Sequence, residues 1–330
     1  MERPRVVAPL SYSNAMRILF VKTSSLGDVI HHCPAVTDVR RRFPEAVIDW
    51  VVEEAFAGIV GLHPSVRRAI PVAVRRWRHG ALKPSVWKEL LSFRRLLRAE
   101  RYDFVIDTQG LLKSALIAAS AHGVRHGFNA NSAREPIASR FYDVSHPVSR
   151  KMHAVDRNRS LTAITLGIES VGPCDYGLVP RQGRPVSLTI PFCVLLCMTS
   201  RTDKLWPEQY WVELVRGLAE GGCESVFPWG NDEERARCQR IVDLAGSGVV
   251  LPALSLGDLA STMTQAQGVV GVDTGLAHLA AALNVPTIGL YIRTDPRLTG
   301  LQGAGKLTNL GGLGKMPSVQ DTMDVAKAMF

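Results

Sequence analysis

The segment VKTSSLGDVIHHCPA, residues 21–35, combines three features that together indicate a fold class. A hydrophobic run ends at Val21, a polar turn covers residues 22–28, and a segment with helical character follows. A strand, a polar glycine turn and a helix form the unit that brings a ligand to the edge of a parallel sheet. The turn has one glycine and ends in Asp28, so it lacks the G-x-G-x-x-G pattern of a dinucleotide-binding turn.

Short apolar runs alternate with amphipathic segments along the rest of the chain. Runs rich in Val, Ile and Phe predict strands, and segments with helical spacing lie between them. The predicted strands are 18–21, 47–52, 104–106, 193–197, 225–227, 249–251, 269–272 and 287–291, and the clearest predicted helices are 87–100, 210–220 and 233–244. Strands that alternate with helices predict an α/β fold with doubly wound, Rossmann-like parallel sheets.

Length and composition predict two domains. A chain of 330 residues that is 46% hydrophobic is long enough for two packed α/β domains. Gly, Pro and Arg crowd residues 172–186, which form the best linker candidate. We expect a flexible extension over residues 1–15, a first domain over 16–180 and a second over 181–312, with Met16 as the functional start.

The apolar runs argue against a membrane-spanning protein, and the cysteines argue against a disulfide-bonded or cysteine-metal protein. No apolar run reaches the roughly 20 residues that cross a bilayer. Six cysteines form no C-x-x-C pair and lie mostly in apolar segments. We therefore expect free thiols in a reducing cytoplasm, and neither a disulfide nor a cysteine-bound metal.

The net charge of +9 is confined to one half of the chain. Residues 1–180 carry 26 basic and 16 acidic residues, whereas residues 181–330 carry 13 and 14. A one-sided basic field attracts nucleic acid, an anionic lipid surface or an acidic saccharide. A basic face that serves only solubility is the alternative.

A second strand–turn–helix unit lies in VVGVDTGLAHLAAALNVPTIGLY, residues 269–291. Free amide groups and the dipole at the predicted helix start form a site for a phosphate, to which Gly275 gives close access. Thr274 offers a hydroxyl, Asp273 an acceptor for sugar hydroxyls, and His278 lies in the first turn. Alternatively, Asp273 or Thr274 only caps the helix and His278 is an ordinary hydrogen-bonded histidine.

Three further turns repeat this pattern in the second half of the chain. In CMTSRTDKLWPEQYW, Thr199, Ser200 and Lys204 can bind the oxygens of a diphosphate, although such cations are more often surface residues. In FPWGNDEERARC, Glu234 can bind ribose hydroxyls or can compensate the helix dipole. In LPALSLGDLA, Leu254 can pack against a base next to a capping-box pattern.

A basic cluster marks the first half. VRRWRHG, residues 74–80, contains Arg75, Arg76 and Arg78, and Arg134 and Lys113 could extend the cluster. Arginine binds carboxylate and phosphate in a bidentate manner, which suits a doubly anionic substrate. A patch without a ligand or a phospholipid contact is the alternative, and nucleic acid is disfavoured because aromatic residues do not interleave repeatedly.

Asp28 has two interpretations from its position alone. The helix dipole favours its ionised form, and a carboxylate in a cleft can accept a proton from an attacking hydroxyl. As a helix cap it would contribute about 1 kcal/mol of stability instead.

Together these motifs resemble the ADP-heptose lipopolysaccharide heptosyltransferase family. The similarity runs from Met16 to about Gly303 and rests on VKTSSLGDVIHHCPA, DWVVEE, IPVAVRRWR, DTQGLLKSAL, SAREP, DKLWPE, PWG, VDTGLAHLAAAL and TDP, in that order. The first glycine turn and the arginine cluster favour the type I branch of the family over the type II branch.

The resemblance implies a GT-B fold, in which two Rossmann-like domains face each other across a cleft. The first binds the acceptor and the second the nucleotide sugar, and a C-terminal helix within residues 313–330 packs back on the first domain. The implied reaction is an inverting transfer of L-glycero-D-manno-heptose from ADP-heptose to the 5-hydroxyl of the inner Kdo of Kdo2-lipid A. It needs no metal, cofactor or nucleic acid, and takes place on the cytoplasmic face of an anionic inner membrane.

The resemblance also implies roles for individual residues. Asp28 matches the catalytic base, and Lys204 assists departure of ADP. The donor positions are Thr199, Ser200, Lys204, Glu234, Leu254, Asp273, Thr274, Gly275 and His278, and the acceptor positions are Lys22, Ser25, Arg75, Arg76, Arg78 and Arg134.

Departures from the family pattern leave alternatives. Arg293 precedes the TDP motif where a Gly-Pro pair is usual and could reach the phosphates, Glu233 could replace Glu234, and the tail after Gly303 matches poorly. The rival functions are transfer to another anionic Kdo or heptose acceptor, nucleotide-sugar binding without catalysis, and an NAD-dependent oxidoreductase disfavoured by the missing glycine motif.

Overall fold

The computed structural model describes residues 15–80, 82–169, 171–180, 183, 186, 188 and 191–330. In this part of the chain two six-stranded parallel sheets are flanked by helices, which confirms the predicted α/β class. The extension predicted over residues 1–15 lies outside the described residues except for Ala15.

The first sheet is built by residues 17–146. Its strands are β1 (Arg17–Val21), β2 (Val47–Glu53), β3 (Val66–Val72), β4 (Arg101–Asp107), β5 (His122–Phe128) and β6 (Val144–His146), in the order β3-β2-β1-β4-β5-β6. Its helices are α1 (Leu26–Ile30), α2 (Cys33–Arg42), α3 (Ala57–Val60), α4 (Val74–His79), α5 (Pro84–Arg98), α6 (Leu112–Ser120) and α7 (Ala154–Leu166), with 3₁₀ turns at Glu54–Phe56 and Pro136–Phe141. The strand order reverses at β1, so α1 begins at the point where such sheets bind ligands.

The second sheet repeats this topology. Its strands are β7 (Phe192–Leu196), β8 (Glu224–Phe227), β9 (Val249–Val250), β10 (Gly268–Val272), β11 (Thr287–Tyr291) and β12 (Leu307–Gly311), in the order β12-β11-β10-β7-β8-β9. Its helices are α8 (Glu208–Glu220), α9 (Asp232–Ala245), α10 (Leu256–Met263), α11 (Gly275–Ala282), α12 (Pro296–Thr299) and α13 (Val319–Met329), with a 3₁₀ turn at Thr202–Lys204. The order reverses between β7 and β10, where α11 begins.

The central strands are buried on both faces. All five residues of β7, β10 and β11 are buried, as are four of the five in β1. Continuous apolar burial is what a parallel sheet covered by helices requires. All eight strands predicted from the sequence are present, and all except β9, an edge strand of two partly buried valines, include buried apolar residues.

Four strands lie outside the sequence prediction. β3 (VRRAIPV) carries two arginines and a proline, and β5 (HGVRHGF) is rich in glycine and histidine. β6 has three residues, and β12 (LTNLG) is polar and partly exposed. β3, β6 and β12 are edge strands and β5 lies next to the edge strand β6, where incomplete burial weakens the apolar pattern of the sequence.

The final helix, α13, packs on the second domain. It contacts α8 and β11, and its Met323 and Ala326 are buried in the core of that domain. A Cβ added at Gly217 of α8 would lie 2.3 Å from Met323 Cε, so the glycine makes room for this side chain. The expectation that this helix packs on the first domain is therefore wrong, because its apolar face fits the groove beside α8.

Candidate active site

The two ligand-binding edges meet at a contact between glycine turns. Helix α1 of the first domain packs against α11 of the second, so the starts of these two helices lie at the interface. A Cβ added at Gly275 would lie 2.7 Å from Leu26 Cβ and 2.9 Å from the Gly27 nitrogen. A Cβ at Gly27 would lie 3.3 Å from His278 Cδ2. The close approach of the two domains therefore requires glycine at position 275.

Asp28 follows this contact directly and lies at the third position of α1. Its Oδ2 accepts hydrogen bonds from the Ser25 nitrogen at 3.1 Å and from Arg134 Nη1 at 3.3 Å, and its Oδ1 accepts from Arg134 Nη2 at 2.5 Å. The N-cap residue is Ser25, not Asp28. Asp28 therefore stabilises the helix start through the Ser25 amide while its carboxylate stays within reach of a charged partner.

Lys22 lies beneath Asp28 and is 3% exposed. Its Nζ donates to the Thr108 carbonyl at 2.9 Å and to Asn158 Oδ1 at 3.4 Å, and lies 4.0 Å from Asp28 Oδ1. Burial lowers the pKa of Lys22 to about 8. The structure thus places Lys22 below the surface, where it supports Asp28 and is not accessible for the predicted contact with an acceptor.

The pKa of Asp28 lies well below its usual range. Burial opposes ionisation, but the positive charges of Lys22 and Arg134 outweigh this effect. Asp28 is therefore ionised, and it is a weak base while both cations are next to it.

Gln109 and Lys113 hold the turn in front of Asp28. Gln109 Nε2 donates to the Ser24 carbonyl at 2.6 Å, and its Oε1 accepts from the Thr23 nitrogen at 3.1 Å. Lys113 Nζ donates to Ser24 Oγ at 3.0 Å. Gln109 was not among the residues predicted from the sequence, although its motif DTQGLLKS follows a strand.

Across the contact, Asp273 organises the second domain's edge. Its Oδ2 accepts from Lys204 Nζ and from Thr294 Oγ1, each at 2.7 Å, and Thr199 Oγ1 donates to its carbonyl at 3.1 Å. Burial opposes its ionisation, but His278, Lys204 and Thr294 outweigh burial and hold the pKa of Asp273 well below its usual range. Its carboxylate therefore positions Lys204 beside the start of α11.

The amide groups at the start of α11 complete this edge. Thr274 occupies the N-cap position without a side-chain capping bond, and the capping alternative is therefore wrong for both Asp273 and Thr274. The first amides of a helix have no intrahelical acceptor, so those at Gly275 and Leu276 are available for an anion. The ammonium of Lys204 has further donor capacity besides its bond to Asp273.

The other predicted donor residues lie around this edge. Glu234 Oε2 accepts from the Gly230 nitrogen at 2.7 Å, which supports the local turn, whereas Glu233 is exposed. Leu254 is partly buried against the core, and Ser200 is exposed. Contacts of these residues and of Arg293 with a nucleotide stay predictions.

Among the predicted acceptor residues, Arg76 differs from the others. Its guanidinium pairs with Glu54 at 3.2 Å and with Glu89 at 2.8 Å, which fastens α4 to α5. Arg75 lies over the Phe56 ring at 5.7 Å. The pKa of Lys113 is lowered by burial, with Arg75 and Arg78 acting in the same direction and Glu53 opposing them. The positive charges of Arg75 and Arg78 therefore act on Lys113.

Besides Gln109, three residues of the site came from outside the sequence prediction. His31 Nε2 lies 3.3 Å from His278 Nδ1 and joins the two domains. Arg157 of α7 donates to the Ser132 carbonyl at 2.7 Å, and its charge acts on Asp28. Asn158 Nδ2 donates to the His31 carbonyl at 3.0 Å. Only the adjacent histidines of VIHHC gave a signal in the sequence.

Two further features of the described residues bear on metal and membrane binding. Within the described residues, no group of three or more His, Cys, Asp or Glu side chains is arranged to hold a metal ion. No helix in that part of the chain is long and apolar enough to span a bilayer. The six cysteines are free thiols, and four of them are buried.

Comparison with known proteins adds independent findings. Residues 90–328 match the model of "Glycosyltransferase family 9 (heptosyltransferase)". The chain is 44% identical over 298 residues to lipopolysaccharide heptosyltransferase 1 of Escherichia coli K12, covering 88% of this chain and 92% of that protein. It is similar to the structure of E. coli heptosyltransferase WaaC with ADP, with a TM-score of 0.85, 40% identity, and 96% and 100% of the two chains covered. For the same enzyme with ADP-2-deoxy-2-fluoro heptose the TM-score is 0.82 with 40% identity, over 95% and 98% of the chains.

The substitution Asp28→Asn should alter the response of stability to acid. The folded pKa of Asp28 lies below its unfolded value of about 3.9, so the stability it contributes is present above that value and is lost as the pH falls through the folded pKa. Asparagine does not titrate. The difference in unfolding free energy between wild type and variant should therefore shrink as the pH falls from about 5 to 2. Urea titrations of the first domain's unfolding, carried out at several pH values and fixed ionic strength, measure this difference in unfolding free energy. A difference that stays constant with pH would contradict the ion pairs of Asp28 with Lys22 and Arg134.

Proposed function

We propose that this chain, which belongs to glycosyltransferase family 9 (the heptosyltransferases), transfers L-glycero-D-manno-heptose from ADP-heptose to the inner Kdo of Kdo2-lipid A. Heptose transfer in the lipopolysaccharide inner core is the activity of its relatives, and the resemblance seen in the sequence motifs is thereby confirmed. The inner Kdo as acceptor is the finer part of the proposal.

One observation carries the proposal. Asp28 lies one residue from the contact between Gly27 and Gly275, and the amides at the start of α11 lie on the other side of that contact. A carboxylate and an anion-binding helix start are thus brought together from two domains. A glycosyltransferase needs this pairing, because the acceptor hydroxyl loses a proton while the nucleoside diphosphate leaves with negative charge.

The reaction can be described through the chain's own groups. Asp28 accepts the proton as the acceptor oxygen attacks the anomeric carbon from the side opposite to ADP, which inverts its configuration. Lys204 and the amides of Gly275 and Leu276 stabilise the charge that develops on the diphosphate. These donors supply positive charge without a metal, so we expect transfer to persist in EDTA and to need no cofactor.

The charge distribution supports an anionic acceptor bound by the first domain. The net charge of residues 1–180 is +10, and Arg134 and Lys113 place cations next to Asp28 and its turn. Kdo has a carboxylate and lipid A has phosphates, and guanidinium groups bind both in a bidentate manner. Arg75 and Arg78 extend this field along α4.

Helix α5 supports a position at the cytoplasmic face of an anionic membrane. Leu82, Trp87 and Leu91 are 98%, 59% and 53% exposed, and Trp87 and Leu91 share one helix face by their spacing. Arg94 and Arg98 follow on that face and are exposed. Apolar side chains next to basic ones suit the interface of an anionic bilayer. Because Arg76 and Glu89 join α5 to α4, a docked α5 would hold the arginine cluster near the lipid headgroups.

The Asp28→Asn variant should lose transfer and keep donor binding. We expect kcat to fall by about 10² to 10⁴-fold, because general-base catalysis contributes that much, while the Kd of ADP-heptose stays near the wild-type value. Release of ADP with a Kdo2-lipid A acceptor measures transfer, and calorimetry measures donor binding.

The matched control for this experiment is Asp321→Asn. Asp321 is the third residue of α13, as Asp28 is of α1, and its backbone nitrogen donates a hydrogen bond to Ser318 Oγ at 3.0 Å. It lies outside the site. It should retain wild-type turnover. Wild-type turnover of Asp28→Asn would remove the base assignment, and donor binding without ADP release by the wild type would favour a non-catalytic binding protein.

Exposed residues of α5 and of the turn that precedes it should control binding to anionic vesicles. Leu82→Ser/Leu91→Ser should reduce flotation with phosphatidylglycerol-containing vesicles, and Arg94→Gln should weaken it about fivefold, since a basic residue near an anionic surface contributes about 1 kcal/mol. Leu244→Ser, which changes an equally exposed leucine on α9, is the control. Equal flotation of all variants would contradict docking through α5.

A further inference from the structure

The carboxylate of Asp28, which we assign as the base, is paired with Arg134. Arg134 bonds to both oxygens of Asp28, at 2.5 and 3.3 Å, and the Ser25 amide bonds to Oδ2 as well. A carboxylate held by a guanidinium fork has weaker proton affinity than a free one. In this arrangement Asp28 is poorly suited to accept a proton, so the reaction requires a change at Arg134.

Arg134 can leave this pair more easily than the other cation at Asp28. Its side chain is 43% exposed, whereas that of Asp28 is 15% and that of Lys22 is 4% exposed. An exposed guanidinium can turn toward another anion without becoming a buried unpaired charge. After its departure Lys22 still balances the charge of Asp28 from 4.0 Å, and the Ser25 amide still orients the carboxylate.

We propose that Arg134 is a latch on the base, which holds Asp28 inactive in the free protein and releases it when a carboxylate of the sugar acceptor takes the guanidinium. The proposal rests on the function proposed above. A sugar-acid carboxylate offers the same bidentate geometry as Asp28 does, so the exchange replaces one fork by another. Recognition of the acceptor's carboxylate would thereby raise kcat as well as the affinity for the acceptor.

The latch has a consequence for the unwanted reaction with water. With donor bound and no acceptor present, a freed Asp28 would take a proton from a water molecule while the oxygen of that water forms a bond to the anomeric carbon. The bond between that carbon and the diphosphate oxygen breaks, and ADP leaves with the electron pair. Pairing with Arg134 would suppress this hydrolysis until an acceptor arrives.

Arg134→Gln separates a latch from a simple binding residue. Without acceptor, ADP-heptose hydrolysis should rise about tenfold or more, since a positioned base contributes about 10² to 10⁴-fold, while transfer to Kdo2-lipid A falls. Asp28→Asn/Arg134→Gln should remove the rise. Arg78→Gln, which removes a cation not paired with Asp28, should weaken transfer without raising hydrolysis. Arg134→Lys, which keeps the charge but lacks the fork, should give an intermediate rise if the glutamine variant does not fold.

A second measurement uses an acceptor whose inner Kdo carboxylate is a methyl ester. The wild type should lose kcat with this ester, whereas Arg134→Gln should process ester and acid at similar kcat. Unchanged hydrolysis by Arg134→Gln and Arg134→Lys, in a preparation whose wild type transfers heptose, would overturn the latch. Failure of the wild type to transfer heptose at all would overturn the proposed function instead.

Discussion

The candidate site depends on the backbone contact between two glycine turns. Gly27 lies in the first turn of α1 and Gly275 is the first residue of α11, and the absence of a side chain at position 275 lets these two helix starts touch. The contact brings together groups that are 245 or more residues apart in the chain, such as Asp28 and Asp273. A proton acceptor from one domain and anion-binding amides from the other are thereby held in one place, which is how orientation contributes to catalysis.

The two domains use the same lysine–aspartate pair in opposite ways. In the first, Lys22 is buried and Asp28 is the more accessible partner, so the carboxylate is presented. In the second, Asp273 is 9% exposed and Lys204 is 16% exposed, so the ammonium is presented. One fold, used twice, thus supplies a negative group for the proton and a positive group for the leaving phosphate.

Much of this arrangement could be predicted from local sequence, and the rest could not for identifiable reasons. The strands before Asp28 and Asp273 can be identified from their apolar sequence, because central parallel strands are buried on both faces. The pair of Asp28 with Arg134 spans 106 residues, and no local pattern encodes which of several arginines meets the carboxylate. Burial of Lys22, the pairing of Arg76 with Glu89 and the docking of α13 on α8 likewise follow from tertiary packing.

The most direct test is the single-turnover rate of heptosyl transfer by Gly275→Ala. The added methyl group would lie 2.7 Å from Leu26 Cβ and must push the two turns apart. The account predicts that this rate falls about 10²-fold, since a displacement of about 1 Å between reacting groups costs that much, while ADP-heptose still binds. Transfer at the wild-type rate would contradict the claim that this contact assembles the site.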